Sequence, residues 1–299
     1  MEYIKNLLAN LDKIEPIETG VSPKFKKEHN IKAIIFDIYG TLLISSSGDI
    51  EQAEISENNL KEALDAADIK IVEQHGNPLS HILHDFEYTI KVSHEASRKN
   101  HIPYPEIDIL SIWDIVLIHA RRKGLIDFDD EVNIMRMTCV FEFLSNKVYP
   151  MPGLKETISA LKAKGLPLGI VSNAQFYTPV VMNYFLNNDF KLNETIDRFE
   201  KDLTVYSYKL GKGKPDTKLF EELVPSLKSK YNLQPEEVLF VGNDMLKDIY
   251  TSNTVGFKTV LFAGDKRSLR MREDDERVKP IKADHTITDL KQLLEIVDA

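Results

Sequence analysis

Four polar clusters, far apart along the chain, hold the side chains that could do chemistry. A carboxylate such as Asp37 can attack a phosphoryl group only if cations and hydrogen-bond donors offset the repulsion between two negative groups. Lys214, Ser172 and Thr41 would supply such donors. The clusters are Asp37 with Gly40 and Thr41, Ser172 with Asn173, Lys214 with Pro215 and Asp216, and Asn243 with Asp244 and Asp248.

The acids of the last cluster predict a cation site. Asp244 and Asp248 are four residues apart, so on a helix they would share one face. Together with Asp37 they would hold one divalent cation. Mg²⁺ typically takes only one or two carboxylates and completes its shell with water and substrate phosphate oxygens.

Short apolar runs precede these clusters and predict the strands that position them. The runs end just before polar residues and are too short for helices, which indicates buried strands. Ligands of open α/β sheets bind beyond the carboxyl ends of the strands, so the four clusters would converge on one edge. Predicted strands cover residues 31–37, 166–171, 203–208, 238–241 and 259–262, and predicted helices 178–186, 216–231, 244–253 and 290–297.

This alternation of strands and helices predicts an α/β fold with a doubly wound parallel sheet. Residues 45–148 interrupt the alternation, because they show helical periodicity and few strand-like runs. The sequence therefore predicts three parts: an N-terminal helical extension (1–30), a core (31–44 and 149–299) and a helical insertion (45–148).

The N-terminal extension carries one amphipathic pattern. Its apolar residues follow helical spacing up to Pro16, which predicts a helix docked on the body of the protein, with a homodimer contact as the alternative. The apolar positions are Tyr3, Ile4, Leu7, Leu8, Leu11 and Ile14.

Composition narrows the class of protein. The 299 residues contain 47 acids and 38 Lys or Arg residues, so the formal net charge is −9. This balance argues against broad nucleic-acid or anionic-membrane surfaces, which need a basic face, but not against a small anionic substrate. The single cysteine, Cys139, suits a reducing compartment. No apolar run approaches a membrane span and no signal peptide is apparent, so we expect a cytoplasmic protein.

In type and order, the four clusters resemble the motifs of the haloacid dehalogenase-like hydrolase superfamily. The resemblance covers residues 31–44 and 149–265. It implies a Rossmann-like core in which Asp37 is the nucleophile, Ser172 and Lys214 hold the substrate's anionic group, and acids after the fourth strand hold Mg²⁺. It also implies that the insertion is an α-helical cap. The matching stretches are Asp37-Ile38-Tyr39-Gly40-Thr41-Leu42, Ser172-Asn173, Lys214-Pro215-Asp216 and Gly242-Asn243-Asp244 with Asp248.

Two departures from the family pattern favour different activities. Tyr39 stands where phosphatases of the family usually carry a second aspartate as general acid and base, and a phenol with a pKa near 10 is a poor substitute for a carboxyl group near 3.9. Tyrosine there is typical of the family's 2-haloacid dehalogenases, which need no metal. Asn243 stands where phosphatases commonly have aspartate, yet Asp244 and Asp248 keep the region acidic. The dehalogenases also carry an arginine early in the cap, whereas the first arginine after Asp37 is Arg98.

The sequence thus predicts a Mg²⁺-dependent phosphatase that acts on a small phosphorylated metabolite through an aspartyl-phosphate on Asp37. The alternatives are a metal-independent 2-haloacid dehalogenase-type hydrolase that uses Asp37, and a binding protein with a degenerate site. A basic run at 266–272 follows the last predicted strand. It would form a solvated face or, alternatively, contact an anionic substrate or a neighbouring subunit. The predicted catalytic residues are Asp37, Lys214, Ser172 and Thr41, further substrate contacts are Tyr39, Gly40 and Asn173, and the metal ligands are Asp37, the Tyr39 carbonyl, Asn243, Asp244 and Asp248.

Overall fold

Ten strands and twelve α-helices make up the part of the chain that the computed structural model describes, residues 2–46, 55–72, 76–188, 190 and 195–297. The strands are β1 Ala33–Phe36, β2 Leu43–Ser45, β3 Lys70–Ile71, β4 Ile126–Asp127, β5 Val148–Pro150, β6 Leu168–Ser172, β7 Thr204–Tyr206, β8 Val238–Gly242, β9 Lys258–Phe262 and β10 His285–Ile287. The helices are α1 Glu2–Ala9, α2 Glu57–Ala66, α3 Pro78–Lys99, α4 Ile109–Arg122, α5 Ile134–Ser145, α6 Leu154–Ala163, α7 Thr178–Asn187, α8 Ser207–Leu210, α9 Lys218–Glu221, α10 Val224–Tyr231, α11 Thr251–Thr254 and α12 Leu293–Ile296.

Six parallel strands form the central sheet, in the order β10-β9-β8-β1-β6-β7. β1 pairs with β6 on one side, where Ile34 lies opposite Leu168, and with β8 on the other, where Ile34 lies opposite Leu239. The chain therefore leaves β1 in one direction and later returns to its other side. The carboxyl end of β1 lies at this switch point, where open α/β sheets bind their ligands.

Both faces of the sheet are covered, which is why the strands are apolar throughout. Along β1, Ile34 and Phe36 join the larger hydrophobic cluster on one face. Ala33 and Ile35 join a second cluster on the other face, with α9 and α10. The predicted doubly wound parallel α/β fold is confirmed.

Several element boundaries differ from the sequence prediction for local reasons. The first helix ends at Ala9, although Leu11 and Ile14 still pack against the core. The predicted helix 216–231 is two helices, and Pro225 lies in the first turn of the second. The predicted strand 203–208 ends at Tyr206, where α8 follows.

The end of the core also departs from the prediction. Residues Met245–Tyr250 form a π-helical turn ahead of α11, and Leu290–Gln292 form a 3₁₀ turn ahead of α12. β10 was not predicted, because its sequence His-Thr-Ile lacks an apolar run. Short 3₁₀ turns also occur at Lys201–Leu203 and Pro235–Glu237.

The insertion is a helical body formed by α2 to α5. β2 leads into it and β5 leads out, and the two pair antiparallel, with Ile44 opposite Tyr149. The predicted boundaries, after residue 44 and before residue 149, fall within this ribbon. Inside the body Phe86, Trp113 and Phe141 pack on one another, with ring centroids 4.2 to 5.8 Å apart. Even the 22-residue α3 is amphipathic, and no described helix has the length and apolarity needed to cross a bilayer.

The N-terminal extension contacts both bodies. α1 packs against α5 of the insertion, and its Ile4 and Leu8 are buried there. Farther along, Lys24 exchanges two backbone hydrogen bonds of 2.8 Å with Thr286 on the edge strand β10. The helix is thus docked within the chain, and the alternative homodimer contact stays a prediction.

Candidate active site

Asp37 lies directly after β1, at the switch point of the sheet, and its side chain is buried. Its backbone N–H donates to the Val241 carbonyl at 2.9 Å, which extends the sheet pairing by one residue. Its Oδ1 accepts a hydrogen bond of 2.9 Å from the Ser172 hydroxyl and one of 2.7 Å from the Lys214 ammonium. Residues from three distant motifs therefore meet at one carboxylate oxygen.

Lys214 bridges two buried carboxylates. Its Nζ lies 2.7 Å from Oδ1 of Asp37 and 2.5 Å from Oδ1 of Asp248, and only 5% of the residue is exposed. Burial lowers its pKa, but the charges of Asp248 and Asp37 outweigh that effect and hold the pKa above its ordinary value. The lysine is therefore a permanent cation beside Asp37.

Asp248 joins this cation to the backbone of the fourth motif. Its Oδ2 accepts the N–H groups of Asn243 at 3.0 Å and Asp244 at 2.9 Å. Gly242 makes the close approach possible, since a Cβ there would lie 2.4 Å from Cγ of Asp248. Burial raises the pKa of Asp248, and the charge of Lys214 opposes the rise. Asp248 thus fixes the loop that follows β8 and orients Lys214.

Asn243 is held by the first motif and by the basic run. The Thr41 hydroxyl donates to its Oδ1 at 3.0 Å, and its Nδ2 donates to the Ser268 carbonyl at 2.6 Å. Gly40 has φ +85°, and a Cβ there would lie 2.6 Å from Cβ of Ser268 and 2.7 Å from Nδ2 of Asn243. Only glycine suits this position, on both counts. In this arrangement the Thr41 hydroxyl holds Asn243.

Asp244 does not share a helical face with Asp248, contrary to the sequence prediction. It is the N-cap of the π-helical turn, with extended backbone, and its Oδ1 accepts the N–H groups of Leu246 and Lys247. The Arg272 guanidinium also donates two hydrogen bonds to Oδ2 of Asp244, from Nε at 3.1 Å and from Nη2 at 2.7 Å. A capping residue lies outside the helix, so the four-residue spacing does not apply to it.

Two predicted substrate contacts differ in where they point. Asn173 accepts the backbone N–H of Lys214 at 2.7 Å through its Oδ1, and so holds the lysine loop beside the site. The phenol of Tyr39 shares a hydrogen bond of 2.9 Å with the Thr178 hydroxyl at the start of α7. Burial raises the pKa of Tyr39 well above its ordinary value, so this phenol keeps its proton near neutral pH.

A cavity of about 50 Å³ opens in front of Asp37. Of the predicted site residues, Ser172, Gly40 and Thr41 lie behind its described lining rather than on it. Lys247, Ser268 and Arg270 line it although the sequence did not single them out as site residues. The basic run 266–272 was the signal that could have found two of these. The lining is Asp37, Tyr39, Asn173, Lys214, Asn243, Asp244, Lys247, Asp248, Ser268 and Arg270.

This lining fits a hard divalent cation in donor chemistry. Carboxylate and amide oxygens of Asp37, Asn243 and Asp248 belong to it. In the described part of the chain, no three His, Cys, Asp or Glu side chains form a ready metal cluster. Mg²⁺ does not need one, because it usually takes one or two carboxylates and keeps several waters.

A second cavity, of about 630 Å³, continues from the first and lies between the insertion and the core. Asn173, Lys214 and Lys247 line both cavities. The insertion contributes an apolar wall to the larger one, made by Phe86, Ile90, Ile109 and Phe141. Its other lining residues with acidic or basic side chains, besides the two shared lysines, are His94, Arg98, Glu106, Glu142, Arg272 and Arg277, and the phenols of Tyr104 and Tyr177 also line it.

Comparison with known proteins points to one family. The model of the haloacid dehalogenase-like hydrolases matches residues 31–251, and a second model of HAD-like hydrolases matches residues 212–293. The chain is 32% identical over 148 residues to the glyceraldehyde 3-phosphate phosphatase of Pyrococcus furiosus, which covers 50% of this chain and 54% of that protein. It is 29% identical over 147 residues to the ribulose-1,5-bisphosphate 5-phosphatase of Halopiger xanaduensis, which covers 49% and 56%.

These alignments are partial, since the chain spans about half the length of the curated relatives it matches. Among solved structures, a 2-haloacid dehalogenase from Pseudomonas syringae shares the fold, with a TM-score of 0.55 and 21% identity over 89% of this chain and 97% of that one. The family match spans all four motif clusters and the insertion. The chain therefore belongs to the haloacid dehalogenase-like hydrolase family and is a hydrolase.

Proposed function

We propose that this hydrolase is a Mg²⁺-dependent phosphatase that acts on a small phosphorylated metabolite through an aspartyl-phosphate on Asp37. The observation that carries the proposal is the buried contact between Asp37 and Lys214, 2.7 Å apart in front of a cavity. An anionic group that approaches this nucleophile meets a fixed cation at the point of attack. The phosphatase names of the partial relatives support the same reaction class.

The protein's own groups divide the work. A carboxylate oxygen of Asp37 attacks phosphorus, and Lys214 and the Ser172 hydroxyl stabilise the charge that gathers on the phosphoryl oxygens. Asp248 holds Lys214 in place through its 2.5 Å contact. Asn173 fixes the loop that carries the lysine, so the site needs little rearrangement when the substrate enters.

Charge balance supports a divalent cation in this site. Three carboxylates and three cationic side chains are present in the lining described above, so the small cavity is formally neutral. A phosphate dianion would leave an excess of negative charge, which a dication offsets. Mg²⁺, when bound, would supply Lewis-acid stabilisation of a phosphoryl oxygen.

The ligands proposed for this ion are Asp37, the Tyr39 carbonyl and the Asn243 amide, with Asp248 nearby. Asp244 is a weaker candidate than the sequence suggested, because its carboxylate already accepts five hydrogen bonds from Leu246, Lys247 and Arg272.

The insertion would act as the cap over this site and select the substrate. Its helices α3, α4 and α5 line one side of the 630 Å³ cavity, and the core loops that carry Asn173 and Lys214 line the other. A cavity of this size and apolar character accommodates a small metabolite whose phosphoryl group reaches Asp37.

Carbon–halogen hydrolysis remains the rival activity, because Tyr39 is the residue that the family's dehalogenases carry. The two activities separate cleanly in their need for metal. In the dehalogenase reaction Asp37 would attack carbon and release halide, so EDTA would leave the rate unchanged.

Phosphate release across a panel of aryl, acyl, sugar and alkyl phosphates, with Mg²⁺ or with EDTA, tests the proposal. We expect turnover with Mg²⁺, its loss in EDTA, and a drop of at least about 10³-fold in Asp37→Asn. Asp114→Asn, an exposed aspartate on α4, is the matched control. No release from any phosphate with Mg²⁺ would refute a phosphatase, and chloride release from 2-chloropropionate in EDTA would establish the rival.

A further inference from the structure

Glu142 is a carboxylate in an otherwise apolar stretch of helix α5. It is the only acid in Ile134–Ser145, and its neighbours Cys139, Val140, Phe141 and Phe143 are all buried. Burying a carboxyl group is costly unless the group is partnered or neutral, so this position is a poor choice for stability alone. Glu142 lines the 630 Å³ cavity on the side of the insertion.

A hydrogen bond from the core defines the setting of this carboxyl group. The Tyr177 phenol, at the start of α7 in the core, donates a hydrogen bond of 3.1 Å to its Oε2. Burial raises the pKa of Glu142 to about 7, and the hydrogen bond from Tyr177 opposes the rise. The titratable groups around it, Tyr39, Tyr177 and Cys139, have pKa values raised by burial and stay neutral. Near neutral pH, Glu142 therefore exchanges a proton readily.

Three other titratable groups near the site are already engaged in contacts of their own. The Tyr39 phenol shares its hydrogen bond with Thr178 and holds its proton. Lys214 is held charged between two carboxylates. Glu106, the other glutamate of the large cavity, accepts hydrogen bonds from the Ser207 hydroxyl at 2.9 Å and the Ile107 N–H at 3.0 Å, which brace the junction of insertion and core.

We propose that Glu142, supplied by the insertion, is the general acid and base of the phosphatase reaction. In the first step an Asp37 oxygen bonds to phosphorus, the bond from phosphorus to the leaving oxygen breaks, and Glu142 gives its proton to that oxygen. In the second step Glu142 takes a proton from water as the water oxygen bonds to phosphorus and the Asp37–phosphorus bond breaks. Inorganic phosphate leaves, and both carboxyl groups return to their starting state.

This inference rests on the proposed phosphatase function, and leaving-group dependence tests it separately. An alcohol needs a proton as it departs, whereas 4-nitrophenolate leaves without one. We expect Glu142→Gln to lower kcat/KM about 10²-fold or more for the best alkyl phosphate of the panel. With 4-nitrophenyl phosphate the first step should be nearly unaffected, so the rate constant for 4-nitrophenolate release in single-turnover mixing should stay within about threefold of that of the unmodified protein.

Glu87→Gln is the matched control, since Glu87 is exposed on α3 of the same insertion. It should leave both substrates unaffected. Equal losses in Glu142→Gln on both substrates, or no loss on either, would overturn the role of Glu142 while leaving the phosphatase function intact. If the unmodified protein hydrolysed no phosphate at all, the proposed function and this inference would fall together. Thermal unfolding of Glu142→Gln should match that of the unmodified protein, which excludes misfolding as the cause.

Discussion

The site has two ends that differ in character: the core end around Asp37, and the insertion end formed by the 630 Å³ cavity. At the core end, Asp37, Lys214 and Asp248 are each at most 5% exposed and are joined by charged hydrogen bonds of 2.5 to 2.7 Å. At the insertion end, the 630 Å³ cavity has apolar walls with charged side chains around them. A satisfied buried network has one favoured arrangement, whereas an apolar wall accepts many shapes. The core end would therefore set the reaction, and the insertion end would set which molecule undergoes it.

The largest effect should follow from removing the central cation of the core end. Lys214→Met leaves Asp37 and Asp248 buried without their partner, which should lower the free energy of unfolding by about 3 to 5 kcal/mol and abolish turnover. Without Lys214, the already raised pKa of Asp248 rises further. At pH values between the pKa of Asp248 in the unfolded state and its higher pKa in the folded state, the folded state binds more protons. The stability of the variant therefore falls as the pH rises through that window.

Chemical denaturation at pH 5.5 and pH 8 measures this effect. The loss of stability in Lys214→Met should be smaller at pH 5.5, where protonation of the freed carboxyl groups relieves their charge. Lys212→Met is the control, because Lys212 lies in the same loop, is one-third exposed and is 3.8 Å from its partner Asp216. Equal stability of Lys214→Met and Lys212→Met would mean that the buried network does not hold the core end together.

A smaller effect, on substrate selectivity alone, should follow from a larger side chain in the cavity at the insertion end. Ile90 on α3 lines the large cavity, so Ile90→Trp should take up part of its volume. We expect kcat/KM to fall about tenfold for the bulkiest substrate of the panel and to change little for acetyl phosphate, because one misfitted apolar contact costs about 1 to 3 kcal/mol.

Val92→Trp serves as the control for this change. Val92 lies on the same helix but is 42% exposed, so a tryptophan there should leave kcat/KM for both substrates unchanged. Steady-state kinetics with the two substrates would make the distinction. A uniform loss for both substrates in Ile90→Trp would contradict the division of labour between the two ends.

The smallest effect is expected at Tyr39, which lies between the ends. Tyr39→Phe removes the 2.9 Å hydrogen bond to Thr178, and Thr178 keeps a second partner in the Gln175 N–H. Stability should fall by about 1 kcal/mol, and turnover should stay within about threefold of the unmodified protein. If the phenol were the proton shuttle, the rate would fall by 10²-fold or more.

The sequence predicted the core end well because its signals are local. Each of the four motifs follows a short apolar run, and parallel strands bring their carboxyl ends to one edge whatever their separation in sequence. Asp37, Ser172 and Lys214 met as expected. The helical face expected to carry both Asp244 and Asp248 was wrong, because Asp244 is a capping residue and a π-helical turn follows it.

The insertion end was much less predictable. The periodicity of the insertion predicted helices, but helical spacing alone does not predict which residues of a helix contact a loop that is distant in sequence. Glu142 meets Tyr177 across 35 residues, and Arg272 meets Asp244 across 28. No local pattern marks such pairs, although a lone acid in the apolar run of α5 was visible as an anomaly.

The sequence by itself thus determined the fold class, the family and the place of Asp37 at the end of the first strand of the sheet, since strand patterns and motif order depend on neighbouring residues. Only the tertiary structure decided what surrounds Asp37: the ion pairs of Lys214 with Asp37 and Asp248, the ion pair of Asp244 with Arg272, and the cavity shared with the insertion. Those features depend on the packing of side chains from separate elements, where burial and proximity set charge and reach.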